Sequence, residues 1–318
     1  MLPVASNPFL AGKHRPIVVG HRGVPRLHQE NTLAGFRRAK ELGIPAVELD
    51  VRLTKDRRAV VVHDSNLARL TGSSANVIDL TWDEVSRLRV WRELPMGIDV
   101  NRAPVVARYD REEPISLLEE ILAEIAGKLV INVEIKIELP RWWRAEAGAI
   151  VAGVIADAKV GDRVIVTSFD PRILRATQRA HPELAIGFCF DDSMLDFAGV
   201  ILDRLPALPI KLDSHHQTRR GHNARRVLNR ILESDIAGWL LGTRLVGADH
   251  TLVGSETVRS LHRQGVAVGT HTLFPLGSTT GKRIASTADT IAEVERLVAL
   301  GVDWIESDDP ARLLELIG

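Results

Sequence analysis

The chain has 318 residues, of which 45% are hydrophobic and 26% charged, and its 41 basic side chains balance 41 acidic ones. Zero formal net charge gives no electrostatic basis for binding nucleic acid or an anionic membrane. The single cysteine, Cys189, excludes an intrachain disulfide, and no uninterrupted apolar run is long enough to cross a bilayer. Residues 1–14 lack a basic start followed by an apolar core, so no signal peptide is expected, and a cytoplasmic protein without stable membrane association is the default.

The predicted elements alternate between strand and helix. A short β-branched strand at 17–19 is followed by a helix capped by Asn31, with Leu33, Phe36 and Ala39 on one face and Gly43 as its stop. A second strand spans about 46–51, and a small extended piece follows at 59–62. Thr81 and Glu84 form a capping box for a short helix, and 91–114, with three prolines and many charges, reads as loop. Ser116 with Glu119 is expected to cap a helix running to Ala126, ahead of a third strand at 129–135. A helix over 142–156 precedes a fourth strand at 164–168, and Asp170-Pro171 opens another before a fifth strand at 184–189. Residues 191–234, which hold His215 and His216, read as an irregular decoration. Strands six to eight are placed at 241–246, 266–270 and 302–305. Helices are placed at 255–264, after a Thr290–Glu293 cap, and from Asp309-Pro310.

Eight strands, each followed by a helix or an excursion, predict an α/β fold of the (β/α)8 TIM-barrel type. One domain is expected over 1–318, with a small insertion after strand two and a helical insertion around 191–234. The alternative is an open doubly wound sheet with an added domain, but no glycine-rich turn of dinucleotide spacing follows the first strand.

In a parallel barrel the functional groups gather where the strands end, on the C-terminal face. His21 ends strand one, and Glu48 and Asp50 alternate on strand two, so they point the same way. Asn132, Glu134 and Lys136 share one face at the end of strand three. Neighbouring strands lie roughly 4.8 Å apart, which lets Glu134 approach Glu48 and Asp50. Three carboxylates without a thiolate make a hard oxygen site suited to one divalent cation, Mg²⁺ or Ca²⁺ rather than Zn²⁺. A cation or Lys136 must offset their mutual repulsion. Leu49, Val51, Val133 and Ile135 interleave with the acids, so these strands are buried and their carboxylates need partners.

These residues also carry a family resemblance. Gly20-His21-Arg22-Gly23, Glu30-Asn31-Thr32, Glu48-Leu49-Asp50-Val51, His63-Asp64 with Leu70-Thr71-Gly72, Asn132-Val133-Glu134-Ile135-Lys136 and Ser168-Phe169-Asp170 resemble the glycerophosphodiester phosphodiesterase family. The stretch from Gly301 to Pro310 is similar to that family's closing strand, with Ser307 where threonine is usual. The resemblance runs from about 17 to 312 and is thin between 191 and 257. It implies metal-dependent hydrolysis of a small phosphodiester to an alcohol and a phosphomonoester. It further implies that Glu48, Asp50 and Glu134 hold the metal and that His21 and His63 form the acid–base pair. Arg22 and Lys136 would lie against the phosphate, with Glu30 orienting the nearby chain.

Two departures bear on the alcohol group. Strand seven ends Gly269-Thr270-His271-Thr272, where relatives usually carry a tryptophan, and the 191–234 insertion is long and basic. The alternatives are therefore the same chemistry on a sugar phosphodiester or a lysophospholipid headgroup, or a non-catalytic barrel that binds a phosphorylated ligand. Other signals are discounted. Gly277 to Lys282 falls one residue short of phosphate-loop spacing and is followed by Arg283, and Cys189 reads as core.

Overall fold

A computed structural model describes residues 7–12, 15–136, 145–191, 242–279 and 284–318. The strands in chain order are β1 (Ile17–Gly20), β2 (Ala46–Leu53), β3 (Ala59–Val61), β4 (Arg89–Val90), β5 (Glu93–Ile98), β6 (Pro104–Arg108) and β7 (Glu113–Pro114). They continue as β8 (Val130–Ile135), β9 (Val164–Ser168), β10 (Ala185–Phe190), β11 (Leu245–Asp249), β12 (Ala267–Leu273) and β13 (Trp304–Ser307). The described helices are α1 (Leu33–Glu41), α2 (Ala68–Thr71), α3 (Trp82–Ser86), α4 (Leu118–Ile125), α5 (Glu146–Asp157), α6 (Pro171–Ala180), α7 (Ser255–Arg263), α8 (Thr287–Leu300) and α9 (Pro310–Ile317).

Eight parallel strands close on themselves in the order β1-β2-β8-β9-β10-β11-β12-β13, with β13 returning to β1. The predicted TIM barrel is what forms. Strand alternation sorts the side chains into two environments. Outward residues such as Leu49, Val51, Val133, Val166 and Val268 join the layer under the helices. Inward residues are apolar at the N-terminal end, where Ile17, Val19, Ala46, Val130, Ile165, Leu245 and Trp304 pack with Phe9. Phe9 meets the Trp304 indole edge-on, with ring centroids 5.4 Å apart. Asn7 ties this plug to the barrel by donating to the Val164 carbonyl at 3.0 Å. Further along the same inner faces the residues turn polar: Glu48, Asp50, Asn132, Glu134, Thr167 and Glu306. Among the described residues the apolar floor thus leaves the C-terminal end as the polar part of the barrel interior.

β3 departs from the parallel pattern. It runs antiparallel to β2, from Ala59 opposite Leu53 to Val61 opposite Val51, and so brings the chain back down beside Asp50. The following residues, to about 117, pack a second apolar cluster around Val62, Leu67, Leu70, Leu94, Met96 and Leu117.

The structure corrects several details. Residues 91–114, expected as loop, contain the β5–β6 hairpin and part of the β4–β7 pair. The prolines misled because they sit where a sheet tolerates them: Pro104 begins a strand, Pro95 lies at a register shift and Pro114 ends a two-residue strand. Strand six lies at 245–249 rather than 241–246, and strands seven and eight extend past their expected ends to Leu273 and Ser307. Three caps move. Thr32, not Asn31, accepts from the Gly35 amide, at 3.2 Å. At α4 Glu120, not Glu119, reaches back to the Leu117 amide, at 3.0 Å, while Glu119 pairs with Arg58. Ser286 with Asp289, not Thr290 with Glu293, begins α8. At α1 and α8 several polar residues stand together and any one could cap, and at α4 the adjacent Glu119 and Glu120 could each reach back, so spacing alone could not choose among them. Of the discounted signals, Cys189 is buried as expected, and His215 and His216 lie outside the described residues, as do 192–241 altogether. Gly277 and Ser278 are pinned against Met96 and Ile98 of the hairpin, and 280–283 lie outside the described residues.

Gly269 marks the tightest point of the interior. It pairs with Trp304, and a Cβ there would stand 1.7 Å from the indole Cε2. Trp304 is wedged between this glycine and Phe9, so it has little room to withdraw. Gly269→Ala should lower the unfolding free energy by about 3 kcal/mol in a urea titration, the upper range for overpacking a core. A loss below about 1 kcal/mol would show that the indole can move aside.

Candidate active site

The first turn of the chain sets the site. β1 ends at Gly20, where a Cβ would stand 2.2 Å from the Gly23 carbonyl oxygen, so only glycine permits this fold-back. The Gly23 amide closes it by donating to the Gly20 carbonyl at 3.1 Å. His21 and Arg22 are thereby presented over the barrel mouth, Arg22 with a φ of 55°. The Arg22 amide donates to Glu48 Oε2 at 2.8 Å, which fixes one metal-candidate carboxylate from the backbone. Asn31, also left-handed at φ 58°, turns inward to grip Asp50: its Nδ2 donates to Oδ2 at 2.7 Å and its Oδ1 accepts from the Asp50 amide at 3.0 Å. That contact explains why Asn31 does not cap α1.

Glu48, Asp50 and Glu134 come together as the strand spacing predicted. Asp50 and Glu134 are register partners across β2 and β8, and each of the three acids offers an oxygen within 4.8 Å of the others. Glu48 and Asp50 have no solvent exposure. Lys136 lies 2.8 Å from Asp50 Oδ1 and 2.5 Å from Glu134 Oε1, and Arg22 Nε lies 3.2 Å from Asp50 Oδ2. The carboxylates respond differently to this crowding. Burial pushes the Glu48 carboxyl well above its ordinary pKa, and Asp50, Glu306 and Glu134 push it further. Burial alone would raise Asp50 too, but Lys136 and Arg22 outweigh it and hold that group well below its usual range. Burial would lower Lys136, yet Asp50 and Glu134 keep its ammonium strongly protonated.

One atom tests whether the acids suit a cation. Glu48 Oε1 is buried and has no hydrogen-bond partner among the described residues, a cost that a hard divalent ion at this oxygen would remove. A second acidic group, Glu30 with His63 and Asp64, has metal-like spacing too, but Arg69 already bridges its two carboxylates.

The two histidines are held alike. His21 Nδ1 lies 2.7 Å from Asp308 Oδ1, whose other oxygen accepts from the Leu276 amide at 2.9 Å. His63 Nδ1 lies 2.7 Å from Asp64 Oδ1. A carboxylate at Nδ1 favours the tautomer that carries its proton there, which leaves Nε2 of each ring for proton exchange. β3 delivers His63 to this position: Val62 donates to the Asp50 carbonyl at 2.9 Å, and Arg52 Nε holds the His63 carbonyl at 2.7 Å. Burial lowers the His63 pKa, and the nearby Arg22 lowers it further, so its neutral form is favoured.

Glu30 accepts from Arg22 Nη1 at 3.0 Å. Burial would raise this carboxyl, but Arg22 and Arg69 bring it down to about 2. All eight residues singled out in the sequence, His21, Arg22, Glu30, Glu48, Asp50, His63, Glu134 and Lys136, therefore lie around one barrel mouth. Asp308 and Arg69 went unassigned. Asp308 sat in the quoted closing motif, beside the end of β13, and that placement was the available signal. Arg69 sits on a four-residue helix, too short to give a periodic cue.

The chain is similar to known proteins along nearly its whole length. The glycerophosphodiester phosphodiesterase of Caldanaerobacter subterraneus subsp. tengcongensis is 28% identical over 304 residues, covering 95% of this chain and 98% of that protein. A lysophospholipase D from Mus musculus is 29% identical over 64% of this chain and 66% of its own length. Among solved structures, an Oleispira antarctica phosphodiesterase in complex with the product sn-glycerol-3-phosphate superposes with a TM-score of 0.64 at 20% identity, covering 95% of this chain and 97% of that one. No helix among the described residues is long and apolar enough to cross a membrane. The profile of the glycerophosphoryl diester phosphodiesterase family matches residues 21–312, nearly the whole chain, and the chain belongs to that family of phosphoric diester hydrolases.

Proposed function

We propose that the chain hydrolyses a glycerophosphodiester to an alcohol and sn-glycerol 3-phosphate in a divalent-metal-dependent reaction, with His21 and His63 as its acid–base pair. The observation that carries this reading is the convergence at one barrel mouth of three carboxylates and two Nδ1-anchored histidines. Glu48, Asp50 and Glu134 would hold the ion, Mg²⁺ or Ca²⁺, which supplies positive charge to the phosphate oxygens as charge builds on them.

Arg22 and Lys136 have the charge and placement to bind the two non-bridging oxygens of the diester. Their permanent protonation suits an anionic substrate, and Glu30 fixes the Arg22 fork through its 3.0 Å contact. In the first step the substrate hydroxyl next to the phosphate attacks phosphorus. One histidine removes the hydroxyl proton at Nε2, and the other gives a proton to the departing alkoxide oxygen. The products are the free alcohol and a cyclic phosphodiester. Water then opens the ring with the two histidines in exchanged roles, which restores both protonation states. Intramolecular attack gains from proximity already present in the substrate. Among the described residues neither histidine has a serine or cysteine as a hydrogen-bond partner that could act as a nucleophile, in keeping with a route without a covalent enzyme intermediate.

The lysophospholipase D relative makes a lysophospholipid the second substrate to assay beside glycerophosphocholine and glycerophosphoethanolamine. Glu134→Gln should weaken Mn²⁺ binding measured by titration calorimetry and reduce turnover, with an unchanged far-ultraviolet spectrum. Undiminished activity after exhaustive chelation would overturn the metal requirement.

His21→Ala and His63→Ala should each lower kcat by roughly 10² to 10⁴ with metal affinity retained. A diester lacking the neighbouring hydroxyl should turn over far more slowly than its parent despite comparable binding. Equal rates for the two diesters would eliminate the cyclic route.

A further inference from the structure

Arg69 projects from α2, in the excursion between β3 and α4, and its guanidinium pairs with two carboxylates of the site, with Nη1 also 3.9 Å from the Met96 sulfur. Nη2 and Nη1 donate to Glu30 Oε1 and Oε2 at 2.7 and 2.9 Å, a two-pronged contact. Nε donates to Asp64 Oδ2 at 2.6 Å. Each carboxylate passes the contact on. Glu30 Oε1 also holds Arg22 Nη1, and Asp64 Oδ1 also holds His63 Nδ1. Arg69 is therefore the shared anchor of two side chains that reach the substrate region from different loops. Glu30 is buried and Asp64 only partly exposed, so neither carboxylate can rely on water to fix its orientation.

We propose that Arg69 is a positioning residue that locks the phosphate-facing Arg22 and the proton-transferring His63 into one rigid unit. The inference rests on the roles given to those two residues above. A rigid, planar fork is needed because three N–H bonds diverge in one plane toward two acids, and a lysine ammonium cannot make all three at once. With the fork lost, Asp64 is free to turn from Nδ1 and Arg22 loses the orientation of its acid partner. Both changes act on the transition state more than on ground-state binding, since the imidazole must be aligned as the proton moves and Arg22 as charge accumulates.

The test compares Arg69→Lys, which keeps the charge and so the fold, with Arg69→Ala. For Arg69→Lys, kcat on the best substrate of the panel should fall ten- to a hundredfold while KM changes less than about threefold. Mn²⁺ affinity by calorimetry should stay within threefold, because Arg69 touches none of Glu48, Asp50 and Glu134. For Arg69→Ala, if folded, guanidinium at tens of millimolar should restore at least fivefold in kcat, and the same salt should not restore His63→Ala. The proposal is overturned if Arg69→Lys keeps kcat within twofold of the parent. It is also overturned if its loss is matched by a loss of Mn²⁺ affinity, or if a folded Arg69→Ala gains nothing from guanidinium. His63→Ala and Arg22→Met run alongside: full activity in both would sink the underlying assignment, whereas their loss with an active Arg69→Lys would sink this inference alone.

Discussion

Three carboxylates face one another inside a barrel with almost no water to separate them, and the surrounding structure is arranged so that they stay ionisable there. Their mutual repulsion is met from three directions. Lys136 reaches Asp50 and Glu134 from the same strand, Arg22 reaches Asp50 from the first turn, and the Arg22 amide takes one oxygen of Glu48. Asn31 adds two neutral hydrogen bonds to Asp50. The remaining oxygen of Glu48 is the one that a cation proposed at this site would meet. The phosphate contacts proposed for Arg22 and Lys136 would place an anionic substrate on their side of the three acids.

The two imidazoles are kept apart from this charge cluster by a second tier of acids. Asp64 and Asp308 contact the imidazoles, not the metal-candidate carboxylates, so each histidine has its own partner. The two tiers differ in their support. Asp64 is neutralised by Arg69, whereas Asp308 is steadied by the Leu276 amide in the loop after β12. That loop in turn is bridged to the β5–β6 hairpin between Ile98 and Ser278. The barrel supplies the acids, and the excursion and the loops supply the parts that set the imidazoles.

Much of this was readable from the residues. Two-residue alternation placed Glu48 with Asp50 and Asn132 with Glu134, because strand geometry leaves no other choice for a buried parallel strand. The barrel followed from eight strand signals with helical spacing between them, most of which needed only small shifts at their ends. What could not be read was the direction of single polar side chains. Asn31 has the composition of a cap and the job of an Asp50 clamp, and only its left-handed backbone separates the two. The β5–β6 hairpin was hidden by prolines whose harmlessness depends on edge positions that exist only once the sheet has formed. Arg69 stands thirty-nine residues from Glu30, and no local pattern connects them.

The excursion that carries Arg69 begins and ends at one place. Val62 is tied to Asp50 of β2, and a residue before it Val61 takes the Ser116 carbonyl at 2.9 Å, with Val60 bridging Leu117. The outgoing and returning chains are therefore neighbours stitched to the same pair of strands. Everything from 73 to 115 closes a loop whose ends are already fixed. Such a segment can be exchanged for one of another length with little penalty in chain entropy, which grows only slowly with loop size. It makes a natural port for grafting: a new rim, with a different reach over the alcohol side of the substrate, could be installed while His63, Asp64 and Arg69 keep their footing on the unaltered stem.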